Sequence, residues 1–228
     1  MTSSDTSRDR PPLTRERILE CALAVADAGG IEALTIRSLA SELGVKPMSV
    51  YHHVPNKEAI LDGIVDLVFA EMESSRAEED TDWRSIIVAR ARATRRVLRR
   101  HPWAIGLALS RETPGPATLR HHDETIRILR GGGFSVEATA HANALLDSFV
   151  YGFALQEAAR PFGGTKLGRS EPPRTSATLD PVTYPHLVEM AVEHTHRPGY
   201  DFADEFQLGL DLLVAALSRS TSGDQEVR

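Results

Sequence analysis

The chain has 228 residues, of which 41% are hydrophobic and 25% charged, with a net charge of −6 and one cysteine. These ordinary globular proportions argue against wholesale disorder and leave room for one small and one larger domain. The single cysteine, Cys21, excludes an intrachain disulfide and a cysteine-based zinc site. No apolar run approaches the ~20 residues of a membrane span, and the polar N-terminus is unlike a signal peptide, so a cytoplasmic location is expected. The acidic balance argues against a protein that coats nucleic acid, but it permits a local basic patch.

Helical periodicity dominates the sequence, and strand patterns are hard to find. Candidate N-caps with a side-chain acceptor precede several of the apolar-periodic segments: Thr14, Thr35, Asn56 and Ser135. The first predicted helix is capped at Thr14 and stopped by Gly29–Gly30. In chain order the next are 36–43, 47–53, a long helix capped at Asn56 that includes Met72, 83–100, a short segment within 101–109, a helix ending at 130, 135–159, 185–196 and 202–218. Residues 1–12 and 221–228 are expected to be flexible tails, and 78–82 and 161–181 are expected to be loops. The sequence therefore predicts an all-α protein with short helices at the front, a larger bundle behind, and a fourth helix shared by both.

The segment 35–57 has the spacing of a helix-turn-helix. A small side chain is needed where the first helix packs against the second, and Ala40 stands there. Four residues later the chain must turn sharply in a left-handed conformation that favours glycine, and Gly44 stands there. Six residues further on, Val50 can anchor the second helix in the core. These requirements are met together, so residues 13–58 are predicted to form a helix-turn-helix domain and 59–220 a larger second domain.

The outward positions of the same segment suit DNA. No acidic residue lies between Leu43 and Lys57, although the chain is acidic overall. Ser49, Tyr51 and His52 offer donors that suit phosphate oxygens, and the start of a recognition helix meets base edges. Direct readout should be modest, because only lysine among the residues at that start carries a good donor for guanine. The residues expected to face bases are Lys46, Pro47, Met48 and Ser49.

With these residues in place, the chain resembles a known family. Residues 14–63 resemble the N-terminal domain of the TetR (tetracycline repressor-type) regulators, and 82–84, 101–103, 115–116 and 133–135 are similar, more weakly, to the C-terminal domain of the tetracycline-repressor subgroup. The resemblance implies a homodimeric repressor with a ligand-binding and dimerisation domain, which leaves its double-stranded operator DNA when a small molecule binds. It places the following residues at the DNA backbone: Thr35, Arg37, Tyr51, His52 and Lys57.

The C-terminal half departs from the tetracycline-binding pattern. Where the family places the histidine that holds the drug-bound magnesium, this chain has Leu107, and the histidine of the fourth helix is replaced by Glu73 or Met72. Tetracycline with magnesium is therefore not the expected ligand. We expect a small, largely apolar effector that needs no metal or other cofactor. The residues expected to line its cavity are Arg90, Trp103, Leu107, Thr125 and Gln156.

Other classes of protein are less consistent with the sequence. An enzyme is not expected, because no nucleophile elbow, phosphate loop, zinc-protease motif or dinucleotide fingerprint is present. The histidines at 121–122 and at 194 and 196 could bind a metal, but neither pair has i, i+4 spacing and no third ligand is evident. The alternative is a helical interaction or scaffold protein without DNA binding, which would not require an acid-free recognition segment.

Two further patterns concern the second domain. The predicted helix 83–100 contains seven arginines and no acid, and six of the arginines share one face, which predicts a solvated basic surface. Arg90 alone points elsewhere and is placed near the ligand. The helix after Ser135 and the last helix are apolar nearly all round. Two such helices from each subunit could form a four-helix dimer interface.

Overall fold

A computed structural model describes residues 12–74, 82–111, 113–159 and 180–223. Within these ranges the regular elements are helices and no strand occurs, so the predicted all-α class is confirmed. The helices are α1 (Arg15–Gly29), α2 (Ile36–Leu43), α3 (Pro47–Tyr51), α4 (Lys57–Ser74), α5 (Trp83–Arg100), α6 (Ala104–Ser110), α7 (Pro116–Gly131), α8 (Val136–Ala158), α9 (Pro185–Met190) and α10 (Phe202–Gly223). No described helix is long and apolar enough to cross a membrane.

The helix ends follow from local chemistry. At the predicted caps a side-chain oxygen accepts a hydrogen bond from the backbone N–H three residues later, at 2.8–3.2 Å: Thr14, Thr35, Asn56 and Ser135. Those N–H groups have no partner inside the helix, so each cap stabilises its first turn by about 1 kcal/mol.

The structure also corrects several predicted ends. The third helix stops at Tyr51 rather than at residue 53, and α10 continues to Gly223 rather than ending at 218. The predicted helix 185–196 is α9 followed by a π-helical turn over Ala191–Thr195. A 3₁₀ turn over Ile31–Ala33, which the sequence did not predict, precedes α2. The predicted tails and the loops at 78–82 and 161–181 fall almost wholly outside the described residues.

Contacts divide the chain into two units with separate cores. The front unit comprises the described residues up to Ser74 together with those of Arg100–His122, and the rear unit comprises the remaining described residues. This division differs from the expected border between residues 58 and 59. The reason is that α4 contributes Ile60, Leu61 and Ile64 to the front core, and α6 packs on α4.

The front core is formed by the inward faces of α1, α2, α3 and α4. Ala40 and Val50, which the helix-turn-helix spacing placed inside, are both almost fully buried. The other members are apolar residues at helical spacing: Ile18, Leu19, Ala22, Ala26, Leu34, Leu39, Leu43, Val54, Ile60, Leu61 and Ile64. Burial of this apolar surface is the main favourable term that holds these four helices together.

A buried histidine ties the turn before α6 to the front helices. His101 Nδ1 lies 2.7 Å from Asp27 Oδ1 on α1, and its Nε2 lies 3.0 Å from Glu71 Oε2 on α4. Trp103 Nε1 donates to the same Asp27 oxygen at 2.7 Å. Each ring nitrogen thus has a polar partner, as a buried imidazole requires.

The rear core is built from α5, α7, α8 and α10. Phenylalanines of α8 and α10 form a ring-contact cluster in it: Phe149, Phe153, Phe202 and Phe206. The glycines at the helix contacts are required by close packing. A Cβ at Gly209 would lie 2.6 Å from the Phe149 ring, so α8 and α10 approach closely at that point.

One arginine of α5 does not belong to the solvated basic face that the sequence predicts. Arg95 has only 13% of its side chain exposed and forms two hydrogen bonds of 2.8 and 2.9 Å with the carboxylate of Glu157, which is buried. The prediction is therefore wrong for Arg95. Its partner lies on a different helix, 62 residues away, which a single-helix projection does not reveal.

Candidate DNA interface and effector site

The turn between α2 and α3 has the conformation that its sequence predicts. Gly44 has φ 66° and ψ 36°, in the left-handed region where a Cβ is unfavourable. The N–H of Val45 donates to Ala40 O at 2.9 Å, and the N–H of Gly44 donates to Ser41 O at 3.1 Å. This pattern satisfies the last carbonyls of α2 and directs the chain into α3. The Pro47 ring then occupies the first position of α3, where no backbone N–H is needed.

The predicted DNA-contact residues all lie in the front unit, at the start of α2, along α3 and at the start of α4. All are exposed except Ser49, which is half-buried. Met48 is 68% exposed and Tyr51 is 42% exposed, although both are large and apolar in part. Thr35 also caps α2, since its hydroxyl accepts from the Ser38 N–H and its own N–H donates to Ser38 Oγ. The acid-free surface around α3 is thus available to a partner, with Lys46 and Lys57 at its two ends.

An arginine that sequence reasoning missed neutralises the acids next to this surface. Arg111 Nη2 donates to Glu58 Oε2 at 2.7 Å, and its Nη1 donates to Asp62 Oδ1 at 2.9 Å. The hydrogen bond to Glu58 is the main cause that raises the pKa of Arg111, which therefore stays protonated. Glu58 directly follows Lys57 at the start of α4, so Arg111 reduces the negative charge beside a predicted phosphate contact. No local signal reveals this, because 53 residues separate Arg111 from Glu58.

In the rear unit, two of the predicted effector residues meet. Arg90 on α5 is half-buried, and its Nη2 donates to Thr125 Oγ1 on α7 at 3.1 Å. Arg90 thus points away from the other arginines of α5, as the helical projection predicts. The contact puts a guanidinium inside the rear unit, next to a hydroxyl.

Three polar residues of α8 extend this cluster, and the sequence analysis missed them. Asn143, Asp147 and Tyr151 stand at i, i+4 and i+8, and Asn143 Nδ2 donates to Asp147 Oδ2 at 3.0 Å. Burial raises the pKa of Tyr151, the charge of Asp147 raises it further, and the nearby Arg90 lowers it. The i, i+4, i+8 spacing of polar residues inside an apolar helix was the signal that could have found them.

Two buried polar atoms that α8 contributes to this cluster have no hydrogen-bond partner among the described residues. They are Asn143 Oδ1 and the Tyr151 hydroxyl. Leaving such an atom unpaired costs about 1–3 kcal/mol, a cost that a hydrogen bond from a polar ligand atom or a water would remove.

The other predicted effector residues are not members of this cluster. Trp103 and Leu107 belong to the front unit and pack against its core. Gln156 is exposed on α8. The structure therefore brings together Arg90 and Thr125 but not the remaining three. No group of three or more potential metal ligands occurs in the described part of the chain.

Comparison with known proteins places the chain in a family. Residues 18–64 match the family described as "Bacterial regulatory proteins, tetR family", and residues 76–220 match "Tetracyclin repressor-like, C-terminal domain". A "HTH-type transcriptional repressor DrrR1" from Streptomyces coeruleorubidus is 33% identical over 91% of this chain and 78% of its own length. The "Tetracycline repressor protein class C" of Escherichia coli is 29% identical over 94% of this chain and 96% of its own.

Solved structures give the same result. Apo ActR from Streptomyces coelicolor superposes with a TM-score of 0.74 and 28% identity, covering 94% of this chain and 99% of its own. ActR in complex with actinorhodin gives a TM-score of 0.74 and 30% identity, covering 92% of this chain and 99% of its own. With the helix-turn-helix and the second helical domain both matched, the chain belongs to the TetR family of transcriptional regulators, which are ligand-responsive DNA-binding proteins and not enzymes.

Proposed function

We propose that this regulator is a homodimeric repressor that is released from its operator when a small, largely apolar effector binds in the rear unit. The observation that carries the proposal is the pair of unsatisfied buried atoms, Asn143 Oδ1 and Tyr151 Oη, beside the Arg90–Thr125 contact. Support also comes from ActR, a relative solved in complex with actinorhodin, and from DrrR1, a relative named as a repressor.

The chemistry of the cluster limits the chemical class of the effector. A ligand there would meet an amide oxygen that accepts, a phenol that donates or accepts, and a guanidinium that donates. The surrounding core is apolar and aromatic, so most of the ligand surface would be apolar. We therefore expect an apolar body that carries a few hydrogen-bonding groups along one edge, including at least one donor for Asn143.

The helices that carry the cluster give a route for the signal. Arg90 and Thr125 lie in the rear unit, but α5 and α7 each continue into the front unit. There His101, directly after α5, contacts Glu71 of α4. A second contact to α4 comes from α7, since the N–H and hydroxyl of Thr118 donate to Asp66 at 2.9 and 3.2 Å. An effector that moves α5 or α7 would thus displace α4 through these two contacts. Because α4 begins at the predicted phosphate contact Lys57, the displacement would change the position of that residue.

A homodimer is supported by the exposed faces of α8 and α10. Exposed leucines and small residues lie at helical spacing on both helices: Ala144, Leu145, Ser148 and Leu155 on α8, and Leu208, Leu212, Ala215 and Ala216 on α10. Several exposed large apolar side chains on two helices are typical of a protein interface. In a dimer bound to one operator, the two α3 helices must lie about 34–36 Å apart, as successive major grooves require.

The first test separates phosphate contacts from base contacts at the DNA surface. Lys57→Ala should weaken binding to operator and to unrelated DNA alike, because phosphates carry no sequence information. The slope of log affinity against log salt should fall by about one. Met48→Ala should instead change the preferred base. Binding titrations over a salt series, with operator and with base-substituted DNA, measure the affinity, the salt slope and the preferred base. An unchanged slope for Lys57→Ala would contradict this placement of α4.

The second test concerns the neutralised acid at the start of α4. Arg111→Ala should weaken operator binding a few-fold, about 0.2–1 kcal/mol, because Glu58 then faces the phosphates without its cation. Adding Glu58→Gln should restore most of the loss. The matched control is Arg120→Ala, which breaks a similar pair with Glu73 near the other end of α4 and should not change affinity. A loss that Glu58→Gln fails to restore would assign Arg111 a different role.

The third test concerns assembly. Leu212, at 64% exposure, should lie inside the dimer interface, so Leu212→Glu should produce monomers at micromolar concentration in light scattering. The comparable substitution Leu119→Glu, at a leucine of α7 that is 57% exposed, should leave the dimer intact. A wild-type protein that is monomeric at this concentration would contradict the proposed dimer.

The fourth test concerns the effector. Candidate ligands, beginning with actinorhodin, can be titrated calorimetrically with and without EDTA and in the presence of operator. A ligand that binds should do so without a divalent ion and should bind several-fold more weakly to Tyr151→Phe. Operator should lower its affinity by the same factor by which the ligand lowers operator affinity, about 5–150-fold. Binding abolished by EDTA, or unaffected by operator, would refute the metal-free site or the coupling, respectively.

A further inference from the structure

We propose that a groove between α5 and α10 binds a small anion that carries two or more adjacent phosphate groups. The groove has a volume of about 270 Å³ and opens to solvent. Its lining is dominated by guanidinium groups: Arg92, Arg95, Arg96 and Arg99, with Phe206 and Gln207. These side chains belong neither to the predicted DNA-contact residues nor to the proposed effector cluster, which is formed by Arg90, Thr125, Asn143, Asp147 and Tyr151. The whole groove lies within the rear unit.

The four arginines form one stripe along α5. They stand at i, i+3, i+4 and i+7, which is the spacing of neighbours on one face of a helix. By the 100° rotation per residue, Arg90 points to the opposite side, towards Thr125. The groove is therefore separate from the effector cluster, although both use α5.

One arginine is held rigidly at the base of the groove. The guanidinium of Arg95 lies 4.9 Å from the centre of the Phe153 ring and 4.6 Å from that of Phe206. It also makes two hydrogen bonds to Glu157 and one of 3.2 Å to the carbonyl of Ala203. A side chain fixed on so many sides loses little further freedom when a ligand binds, which favours affinity.

The groove carries more positive charge than its neighbours balance. Glu157 pairs with Arg95 and also lies 3.4 Å from Arg99 Nε, so a single carboxylate serves two cations. Arg92 Nε donates at 2.8 Å to the neutral amide oxygen of Gln207, whose own amide donates to Asp211. Among the described residues, Arg96 has no carboxylate within ion-pair distance.

The excess charge explains why a phosphate chain suits this groove. Four guanidinium groups and two carboxylates among the direct partners of the lining, Glu157 and Asp211, leave about two unbalanced positive charges, and like charges at i, i+4 repel. The planar forks of arginine match phosphate oxygens in pairs. A single small anion would meet only part of the stripe, whereas linked phosphates can contact several forks at once. Because the groove is open, a group attached to the phosphates could project into solvent.

Calorimetry with inorganic tripolyphosphate tests the proposal on the full chain at about 0.15 M salt. We expect saturable binding with one site per chain, much weaker binding of sulfate at equal ionic strength, and a loss of about tenfold or more in the Arg96→Ala/Arg99→Ala variant. Both side chains are exposed, so the variant should fold, and its operator affinity should match that of the wild type. The control Arg120→Ala/Arg127→Ala removes two exposed arginines of α7 and should bind tripolyphosphate normally.

The outcomes are distinguishable. Absence of saturable binding, equal binding of sulfate, or an equal loss in the control variant would each overturn the proposal, because each would reduce the stripe to a solvated basic face. ATP and adenosine distinguish the source of the phosphates. ATP that binds as tightly as tripolyphosphate would indicate recognition of the phosphate chain alone, and tighter ATP binding with weak adenosine binding would indicate a nucleotide site.

Discussion

The contact of His101 with two carboxylates links the turn before α6 to α1 and α4. A buried imidazole must satisfy both ring nitrogens, and here one partner comes from α1 and the other from α4. The requirement fixes where α5 can end, because His101 follows it directly. It also fixes the direction of α6, since Trp103 shares the Asp27 carboxylate. Removal of either carboxylate would leave a buried ring nitrogen without its partner.

Buried polar contacts play a comparable part in the rear unit. The Arg95–Glu157 pair is costly to bury, because two ions lose their hydration. Two hydrogen bonds, two aromatic rings and a backbone carbonyl compensate Arg95, so the pair specifies how α5, α8 and the start of α10 meet. The effector cluster is different, since Asn143 and Tyr151 keep atoms that no described residue satisfies. One set of polar groups is thus complete without a ligand and the other is not.

What could be predicted from the sequence depended on the range of the interaction. The caps, the turn at Gly44 and the buried Ala40 and Val50 follow from chemistry within a few residues, and the structure confirms them. The Arg111–Glu58 pair and the Arg95–Glu157 pair join residues 53 and 62 positions apart. A helical projection treats each helix alone, so it assigned Arg95 to solvent and gave Arg111 no role. Predicted contacts to DNA and effector depend on partners that lie outside the chain.

The two opposite faces of α5 bear on how many ligands this regulator could respond to. Arg90 contacts Thr125 in the proposed effector cluster, and the stripe from Arg92 to Arg99 lines the groove beside α10. A helix is stiff along its length, so a displacement imposed from one side is felt on the other. If an apolar effector bound on one face of α5 and an anion on the other, both would affect the position of the same helix. Both would therefore affect His101, which directly follows it. The level of transcription would then depend on the concentrations of both the effector and the anion, and not on the effector alone.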